Sequence, residues 1–344
     1  MKNISTNTTV SAVISVYNGE KFIGRCLDSI LNQSRAFDEV IVYDDASADE
    51  TVSVVKEFMD KKDGDKIQLL QSNINRGPGG GKNYAKKAVT GDYFAFIDAD
   101  DYVSETYLES FLEEMKRLPY DPDIIFSGFK KVDETGKILY TRTFESKEEA
   151  LIGSVQNWGN LYKRSFFETN DIGIPEGKVL EDVLTRGVII GYAPLVAVCK
   201  EGCEYFYVEN KSSVSHTYMK SFLPGIIDAE MDFLGRNKSK ILPGQSALYE
   251  YWAYKTVCWH LLKSGAGVGR NAMKTEAARA FELLEKYFPA YKKNDYITKK
   301  APSGERVPVR IAIKVMYILE KWNLYKIFLQ IYSTINLEAI WPKL

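Results

Sequence analysis

The chain contains the stretch Tyr93-Phe94-Ala95-Phe96-Ile97-Asp98-Ala99-Asp100-Asp101, in which three carboxylates directly follow an apolar run. The run predicts a buried strand that ends at the acidic residues, and α/β enzymes place their chemistry at such carboxyl ends of strands. Carboxylates this close repel one another unless a cation or several donors satisfy them, and an oxygen-only cluster favours Mg²⁺ or Mn²⁺ over Zn²⁺. Taken alone, the motif also fits a solvated turn that caps a helix starting near Ser104.

Strand and helix patterns alternate upstream of this stretch. Apolar runs that predict strands lie at Val10–Val16, Glu39–Tyr43 and Ile67–Gln71, and helical spacing of apolar residues follows the first two. The third run precedes a predicted glycine-rich loop over Arg76–Gly81 and a predicted helix over 83–89. Such alternation predicts an α/β fold with a mostly parallel sheet and right-handed crossovers.

The pattern changes further along the chain. Residues Asp123–Phe129 predict another strand and Gly136 predicts a hairpin turn, so the sheet is expected to become mixed. Beyond about Ser221 the apolar residues follow long helical patterns. We therefore predict one domain over residues 1–220 and a helical C-terminal region over residues 221–344, with the boundary near Lys220.

Composition limits the classes of function. A length of 344 residues suits one large domain with a further part, and a net charge of −1 argues against a nucleic acid partner. The four cysteines are interpreted as buried thiols in a reducing cytoplasm, although Cys199 and Cys203 are close enough to suggest a local bridge or a metal site. The polar N-terminus and the absence of a long apolar stretch predict a soluble or peripheral protein.

Two acidic groups follow strands that we expect to be neighbours in the sheet. Asp44-Asp45 follows the second predicted strand, and Asp98–Asp101 follows the fourth. Because the carboxyl ends of parallel strands meet at one edge of a sheet, the two groups outline one cleft. That cleft suits a nucleotide, since one carboxylate can accept from a base or ribose while others hold a metal ion that bridges two phosphates.

Three segments resemble the family-two nucleotide-sugar glycosyltransferases of the GT-A fold: Val13-Ile14-Ser15-Val16-Tyr17-Asn18, Val40-Ile41-Val42-Tyr43-Asp44-Asp45-Ala46-Ser47-Ala48-Asp49 and Phe96-Ile97-Asp98-Ala99-Asp100-Asp101. The resemblance covers roughly residues 1–200. It implies a GT-A type fold, with a Rossmann-like, mostly parallel mixed sheet flanked by helices. It also implies a nucleotide-sugar-binding half at residues 10–130 and an acceptor half at residues 131–220.

The same resemblance implies the donor site. It places Ser15, Tyr17 and Glu20 along the nucleotide and brings Asp45 to the uracil. The segment Asp98-Ala99-Asp100 is implied to bind the ribose and the metal diphosphate, with Mn²⁺ or Mg²⁺ held by its two carboxylates. Asp44 has a structural alternative, in which its side chain ties the following turn.

The segment Asn75-Arg76-Gly77-Pro78-Gly79-Gly80-Gly81-Lys82-Asn83 resembles a family segment of small residues followed by Ala-Arg-Asn, but has Lys82 where arginine is usual. An ammonium neutralises a phosphate without the paired hydrogen bonds of a guanidinium, so Lys82 and Arg76 are both candidates for the diphosphate. The segment is not a Walker loop, since Asn83 follows Gly81-Lys82, and a flexible surface loop is the alternative.

The acceptor half resembles the family at Trp158-Gly159-Asn160-Leu161-Tyr162-Lys163-Arg164 and at Val179-Leu180-Glu181-Asp182-Val183. This implies that Asp182 is the catalytic base with Glu181 beside it, whereas without the resemblance they would be an ordinary helix N-terminal pair. Trp158 is expected to contact the acceptor. His216 is a candidate for the metal or diphosphate, or else a solvated loop residue, and His260 is expected to pack within a helix.

These features predict a metal-dependent, inverting glycosyltransferase of the hexosyltransferase type. It would move a sugar from a nucleoside diphosphate, which the resemblance implies to be UDP, to a hydroxyl of a cell-surface glycan or lipid-linked precursor. A sugar nucleotidyltransferase and a non-catalytic glycan-binding protein are the alternatives. The expected location is the cytoplasm, with peripheral contact at the inner face of the membrane left open.

The C-terminal tail from Arg306 interleaves basic and apolar residues, a mixture that two arrangements explain. One is a helix pair on an anionic membrane surface. The other, which we favour from sequence, is a helical subdomain packed on the core or on another subunit of a homo-oligomer.

Overall fold

The computed structural model describes residues 8–61, 63–153, 155–176, 181–210, 225–264 and 269–334. Their contacts divide them into two units. The first comprises the described residues up to Arg186 together with Ala193–Asn210, and the second comprises Gly187–Tyr192 and the described residues from Gly225 onward. The boundary predicted near Lys220 lies outside the described residues.

The first part of the chain alternates strands and helices as its apolar runs predict. The strands are β1 (Val10–Val16), β2 (Glu39–Asp44), β3 (Ile67–Gln71), β4 (Tyr93–Phe96), β5 (Tyr102–Val103), β6 (Ile124–Ser127), β7 (Phe129–Val132), β8 (Ile138–Arg142), β9 (Leu161–Lys163), β10 (Val196–Cys199) and β11 (Tyr205–Val208). The helices are α1 (Ile23–Leu31), α2 (Thr51–Met59), α3 (Gly77–Lys86), α4 (Tyr107–Arg117), α5 (Lys147–Gly153), α6 (Arg164–Thr169) and α7 (Glu181–Tyr192).

The main sheet has seven strands in the order β10-β6-β9-β4-β1-β2-β3. Strand β1 pairs in parallel with both β2 and β4, and β2 pairs in parallel with β3. Strand β9 is antiparallel to both of its neighbours, β4 and β6. The predicted mostly parallel, mixed sheet is therefore confirmed.

A second sheet, in the order β5-β11-β7-β8, corrects one strand prediction. The strand predicted over Asp123–Phe129 is two strands, β6 and β7, which lie in different sheets and meet at Gly128. A Cβ at Gly128 would stand 2.3 Å from the carbonyl oxygen of Arg142, so the chain passes close to β8 there. The predicted hairpin turn at Gly136 is confirmed, because β7 and β8 are antiparallel and this glycine has a φ of 85°.

The core of the first unit lies on the apolar strands of the main sheet. All four residues of β4 are buried, as are six of the seven residues of β1. Burial on both faces explains why these strands are continuous apolar runs instead of alternating ones. All four cysteines are buried free thiols, as predicted, so Cys199 and Cys203 form no bridge.

The second unit is helical, as the long apolar periodicities predict. Its main helices are α8 (Ile226–Asn237), α9 (Ser246–Trp259), α10 (Arg270–Tyr287), α11 (Asp295–Thr298), α12 (Val307–Lys321) and α13 (Tyr325–Tyr332). Helix α9 continues into a π-helical turn, His260–Ser264. Among the described residues, no helix is both long enough and apolar enough to cross a membrane.

Candidate active site

The acidic groups after β2 and β4 lie at one edge of the main sheet. Strand β1 lies between these strands and runs parallel to both, with Val16 opposite Asp44 and Val13 opposite Phe96. The backbone N–H of Asp45 donates to the carbonyl of Val16 at 2.8 Å. The three strands therefore deliver their following residues to the same edge, as a parallel sheet requires.

Helix α3 brings Lys82 against this edge. The Lys82 Nζ lies 3.0 Å from Asp98 Oδ1, and only 6% of the lysine side chain is exposed. The glycines make this approach possible, because a Cβ at Gly81 would stand 2.0 Å from the Ser15 hydroxyl on β1. The glycine-rich segment predicted as a loop is thus the first part of α3, with Pro78 in its first turn, and the surface-loop alternative is wrong.

Lys82 also interacts electrostatically with the acidic pair at the start of α7. Burial opposes its charge, but the carboxylates of Asp98, Asp182 and Glu181 outweigh burial and raise the pKa of Lys82 above its usual value. The lysine therefore stays protonated and links the edge of β4 to α7 within the first unit. The sequence did not indicate that Lys82 is buried and paired with Asp98.

Asp182 has the electrostatic properties of a general base. Burial raises its pKa to about 7, the charges of Glu181 and Asp98 act in the same direction, and Lys82 opposes them. The backbone N–H of Asn157 donates to the carboxylate, while Oδ1 has no hydrogen-bond partner among the described residues. A carboxylate that has an oxygen without a hydrogen-bond partner and a pKa near neutrality can take a proton from a hydroxyl.

Glu181 is a weaker candidate for the same role. Burial raises the pKa of Glu181, the charge of Lys82 lowers it, and Asp98 raises it further. Both acids occupy the first turn of α7, where the helix dipole favours negative charge. The two residues therefore share one cation, and the shift is large at Asp182, whose pKa burial raises to about 7.

Asp101 holds the acidic stretch in place. It is fully buried, and it accepts hydrogen bonds from the Tyr205 hydroxyl at 2.7 Å and from the Val208 backbone at 2.8 Å. The Tyr205 oxygen in turn accepts from the Asp98 backbone N–H at 3.0 Å. Tyr205 thus holds the backbone of Asp98 in position. No local sequence pattern indicated this role.

Asp98 and Asp100 are the residues that could hold a cation here. Burial raises the pKa of Asp100, the charge of Asp98 raises it further, and the Asn210 side chain donates to its carboxylate. No group of three or more His, Cys, Asp or Glu residues suited to a metal occurs among the described residues. Two carboxylates nevertheless fit Mg²⁺ or Mn²⁺, which take their remaining ligands from phosphates and water. His216, the third predicted ligand, lies outside the described residues.

The end of the edge that the sequence predicts to bind the nucleotide is formed by the residues after β1 and β2. Both carboxylate oxygens of Asp45 accept from the Arg76 backbone N–H at 3.0 Å, and burial raises the pKa of Asp45 despite that bond. Asp44 accepts from the Ser47 backbone at 3.2 Å, so the structural alternative for Asp44, a tie to the following turn, is confirmed. The Arg76 guanidinium lies 4.3 Å from the centre of the Tyr84 ring.

The remaining predicted donor residues lie on β1 or follow β1 or β4 in the chain. Ser15 is on β1, and its side chain lies next to Gly81 of α3. Tyr17 follows β1 and is 52% exposed. Glu20 accepts from the Glu50 backbone at 3.1 Å, which places it against the start of α2. Ala99 packs partly against the core between the two carboxylates of its motif.

Trp158 is placed differently from the prediction. Its ring stacks on Tyr205 at 4.5 Å and on Tyr207 at 5.3 Å, and only 8% of the residue is exposed. The ring is therefore part of the core, so the structure does not bring its face to the cleft for stacking on an acceptor sugar. Burial of the large aromatic surface of Trp158 stabilises the core, and this explains why the ring packs inside and not at the cleft.

Sequence reasoning missed Arg186. It is fully buried, donates from Nη2 to the Gln156 carbonyl at 3.0 Å and lies 4.3 Å from the Phe126 ring centre. Burial lowers its pKa to about 10, against the opposing charges of Tyr162 and Asp182. Its position four residues after Asp182, one turn along α7, was the available signal.

His260 is buried in the helical unit, as predicted. It is 2% exposed, and its Nε2 lies 2.8 Å from Glu276 Oε1. It packs between helices of that unit and is assigned no part in the site of the first unit.

The first half of the chain matches a known protein family. Residues 11–174 match the model of the family described as glycosyl transferase family 2. Glycosyltransferase GlyA of Streptococcus pneumoniae is 25% identical over 240 residues, which cover 64% of this chain and 33% of GlyA. The putative glycosyltransferase EpsH of Bacillus subtilis is 31% identical over 186 residues, covering 51% of this chain and 52% of EpsH. The matches thus span a third to a half of these relatives.

Solved structures show the same fold. TarS 1–349 of S. aureus in complex with UDP-GlcNAc has a TM-score of 0.56 at 18% identity, covering 94% of this chain and 88% of that structure. The mannosyltransferase PcManGT of Pyrobaculum calidifontis, in complex with GDP-Man and Mn²⁺, has a TM-score of 0.52 at 18% identity and covers 92% of this chain and 89% of that structure. At such identities the likeness is one of fold.

Proposed function

Because residues 11–174 belong to glycosyl transferase family 2, we propose that this protein moves a sugar from a nucleoside diphosphate to a hydroxyl group. The observation that supports this most is the buried Lys82, which pairs with Asp98 at 3.0 Å and interacts with Glu181 and Asp182. It joins the expected diphosphate site to a carboxylate whose pKa is about 7. Donor-binding and proton-accepting groups are thereby held in one cluster.

In the proposed reaction Asp182 takes the proton of the acceptor hydroxyl. The acceptor oxygen bonds to the anomeric carbon while the bond from that carbon to the diphosphate oxygen breaks, and the nucleoside diphosphate leaves with the bonding electrons. A single displacement of this kind inverts the anomeric configuration. A base with a pKa of about 7 is well matched, since it is partly ionised at neutral pH and still binds a proton strongly.

Asp98 and Asp100 would hold Mn²⁺ or Mg²⁺, and the mannosyltransferase of the same fold was solved with Mn²⁺. When bound, the ion would neutralise charge on the departing diphosphate. The Lys82 ammonium, 3.0 Å from Asp98 Oδ1, offsets part of the repulsion between the neighbouring carboxylates. His216 remains a proposed third ligand.

We assign UDP as the nucleotide because TarS, which has the same fold, was solved with UDP-GlcNAc. Asp45 is proposed to meet the uracil, and Ser15, Tyr17 and Glu20 to line the nucleotide. Arg76 is proposed to reach the diphosphate from the start of α3. The acceptor would be a cell-surface glycan or lipid-linked precursor, used in the cytoplasm or at the inner face of the membrane.

The proposal is tested by incubating the purified protein with a panel of UDP-, GDP- and TDP-sugars, with Mn²⁺ or with chelator, and measuring free nucleoside diphosphate. We expect release from one UDP-sugar that requires the metal ion. Release of pyrophosphate instead would indicate a nucleotidyltransferase. Sugar binding with neither donor binding nor donor turnover would indicate a non-catalytic glycan-binding protein.

A further inference from the structure

Helix α12 and the residue after it carry a row of large apolar side chains that face away from their own unit. We name the row the apolar stripe and define it as Val307 (62% exposed), Ile311 (59%), Val315 (40%), Ile318 (45%) and Trp322 (69%). Spacings of three and four residues place all five on one side of the helix. A row of this kind differs from the single exposed apolar residues that are normal on protein surfaces.

The stripe is not the face by which the helix packs. Ile313 and Met316 lie on the opposite side of α12 and are 3% and 1% exposed. Helix α13 is arranged in the same way, with Leu329 fully buried while Ile327 and Ile331 are 57% and 55% exposed. Both helices are therefore anchored by one apolar face and leave a second one uncovered by the rest of their unit.

The charges beside the stripe have one sign. Residues 306–332 contain five basic side chains and a single acidic one, Glu320. Glu320 accepts a hydrogen bond from the Tyr291 hydroxyl, and its side chain is 9% exposed. Arg310 and Lys321, in contrast, are exposed and lie along one border of the stripe. The exposed charges that this segment places beside the stripe are thus basic.

The apolar stripe and its basic border favour one kind of binding partner over another. A second copy of the chain that packs antiparallel on the stripe about a twofold axis would bring the basic borders together, and like charges oppose such a contact. A helix with Trp and Ile on one face and Lys and Arg beside it matches an anionic lipid surface. Helix α12 has 15 residues and is about 22 Å long, which suits a helix lying in the interface.

We propose that the apolar stripe is a docking surface for anionic membrane lipid, with the apolar side chains inserted among the acyl chains and Arg310 and Lys321 at the headgroups. The sequence favoured packing of these helices, and the structure shows packing on only one of their two apolar faces. The proposal is independent of sugar transfer, because it concerns a surface of the helical unit alone.

The experiment is flotation of the whole protein with vesicles of phosphatidylglycerol or of phosphatidylcholine at low salt. We expect at least tenfold stronger binding to the anionic vesicles, and weaker binding as salt is added. The double variant Ile311→Glu/Ile318→Glu should reduce the binding by at least about tenfold, since it removes two inserted side chains. Arg310→Gln and Lys321→Gln should each reduce it roughly fivefold.

The matched control is Ile138→Glu/Leu139→Glu on β8, where the two side chains are 50% and 44% exposed but lie outside the stripe. It should bind vesicles like the unaltered protein, and circular dichroism should show that all variants are folded. Absence of binding at low salt would overturn the proposal, as would equal binding to both vesicle types. A concentration-dependent dimer in sedimentation velocity that Ile311→Glu/Ile318→Glu abolishes, without vesicle binding, would assign the stripe to a second copy instead.

Discussion

Substitution of Lys82 by Met is expected to change both the stability of the protein and the pH at which it works. The substitution keeps most of the side-chain volume of a residue that is 5% exposed and removes its charge. It leaves Asp98, Glu181 and Asp182 without the cation that they share. Reduced turnover at neutral pH, with recovery at alkaline pH, is the result that would distinguish this role of Lys82 from a purely structural one.

The geometry sets the size of the stability effect. At 3.0 Å and an effective dielectric constant near 20, the attraction between Lys82 and Asp98 is about 5.5 kcal/mol. Removing one member of a buried pair typically costs about 3–5 kcal/mol, and the 30% exposure of the Asp98 side chain places the loss near 3 kcal/mol. Because the folded-state pKa of Lys82 is raised, this stabilisation is fully present at neutral pH and would be lost only above about pH 10.

The loss of the Lys82 charge should also change the pKa of Asp182, the proposed base. Lys82 opposes the rise in the pKa of Asp182, which is about 7, and a nearby opposite charge commonly lowers a carboxyl pKa by at least about 1 unit. Lys82→Met should therefore move the acidic limb of the pH–rate profile up by about 1 unit. At pH 7 the ionised fraction of the base, and with it the turnover, should fall roughly fivefold.

The measurements are denaturant unfolding at pH 7 and donor turnover between pH 5 and pH 9. Lys87→Met is the matched control, because Lys87 is exposed and lies over the Tyr84 ring instead of the carboxylates. Lys82→Arg restores the positive charge and should recover most of the stability. An unchanged acidic limb in Lys82→Met, in a variant that is folded, would refute the assignment of Lys82 as the cation that sets the pKa of Asp182.

Three further results are expected. Asp100→Ala should weaken donor affinity about tenfold or more in calorimetry with Mn²⁺ present, as loss of a charged ligand does, and unchanged affinity would contradict the metal site. Gly81→Ala adds a Cβ that would stand 2.0 Å from the Ser15 hydroxyl, so it should destabilise the protein by about 1–3 kcal/mol, and Ser15→Ala in the same chain should recover part of that loss in denaturant unfolding. Burial raises the pKa of Glu230 to about 8, with the charge of Glu276 adding to it, so the folded state holds a proton that the unfolded state releases above about pH 4.3. Stability should therefore fall by about 1.4 kcal/mol per pH unit between about pH 4.5 and pH 8, and Glu230→Gln should flatten that dependence, whereas an equally steep curve would exclude Glu230 as its source.

The sheet was predictable from sequence because its signals are local. Apolar runs ending in Asp44-Asp45 and Asp98–Asp101 indicated both the strands and their common edge, since the side of a parallel sheet at which a strand ends follows from its direction. The split between β6 and β7 was not predictable in the same way. It depends on the approach of Gly128 to the Arg142 backbone, a contact with a strand that follows it in the chain.

The candidate site was only partly predictable for a related reason. The acidic residues stand in recognisable motifs, but the contacts that set their roles join distant segments. Tyr205 bonds to Asp101 from over a hundred residues away, and Lys82 meets Asp98 only because α3 packs closely on β1. Trp158 shows the opposite case, in which an aromatic residue suited to binding sugar was used by the core instead.

The most direct test of the account is turnover by Asp182→Asn. The change removes the proton-accepting group and little volume, so donor turnover should fall by about 10²–10⁴-fold while calorimetric donor affinity stays within about twofold. Glu168→Gln, a carboxylate-to-amide change at a side chain that is 59% exposed on α6, should leave both quantities unchanged. Normal turnover by Asp182→Asn at pH 7 would contradict the assignment of Asp182 as the base on which the proposed transfer depends.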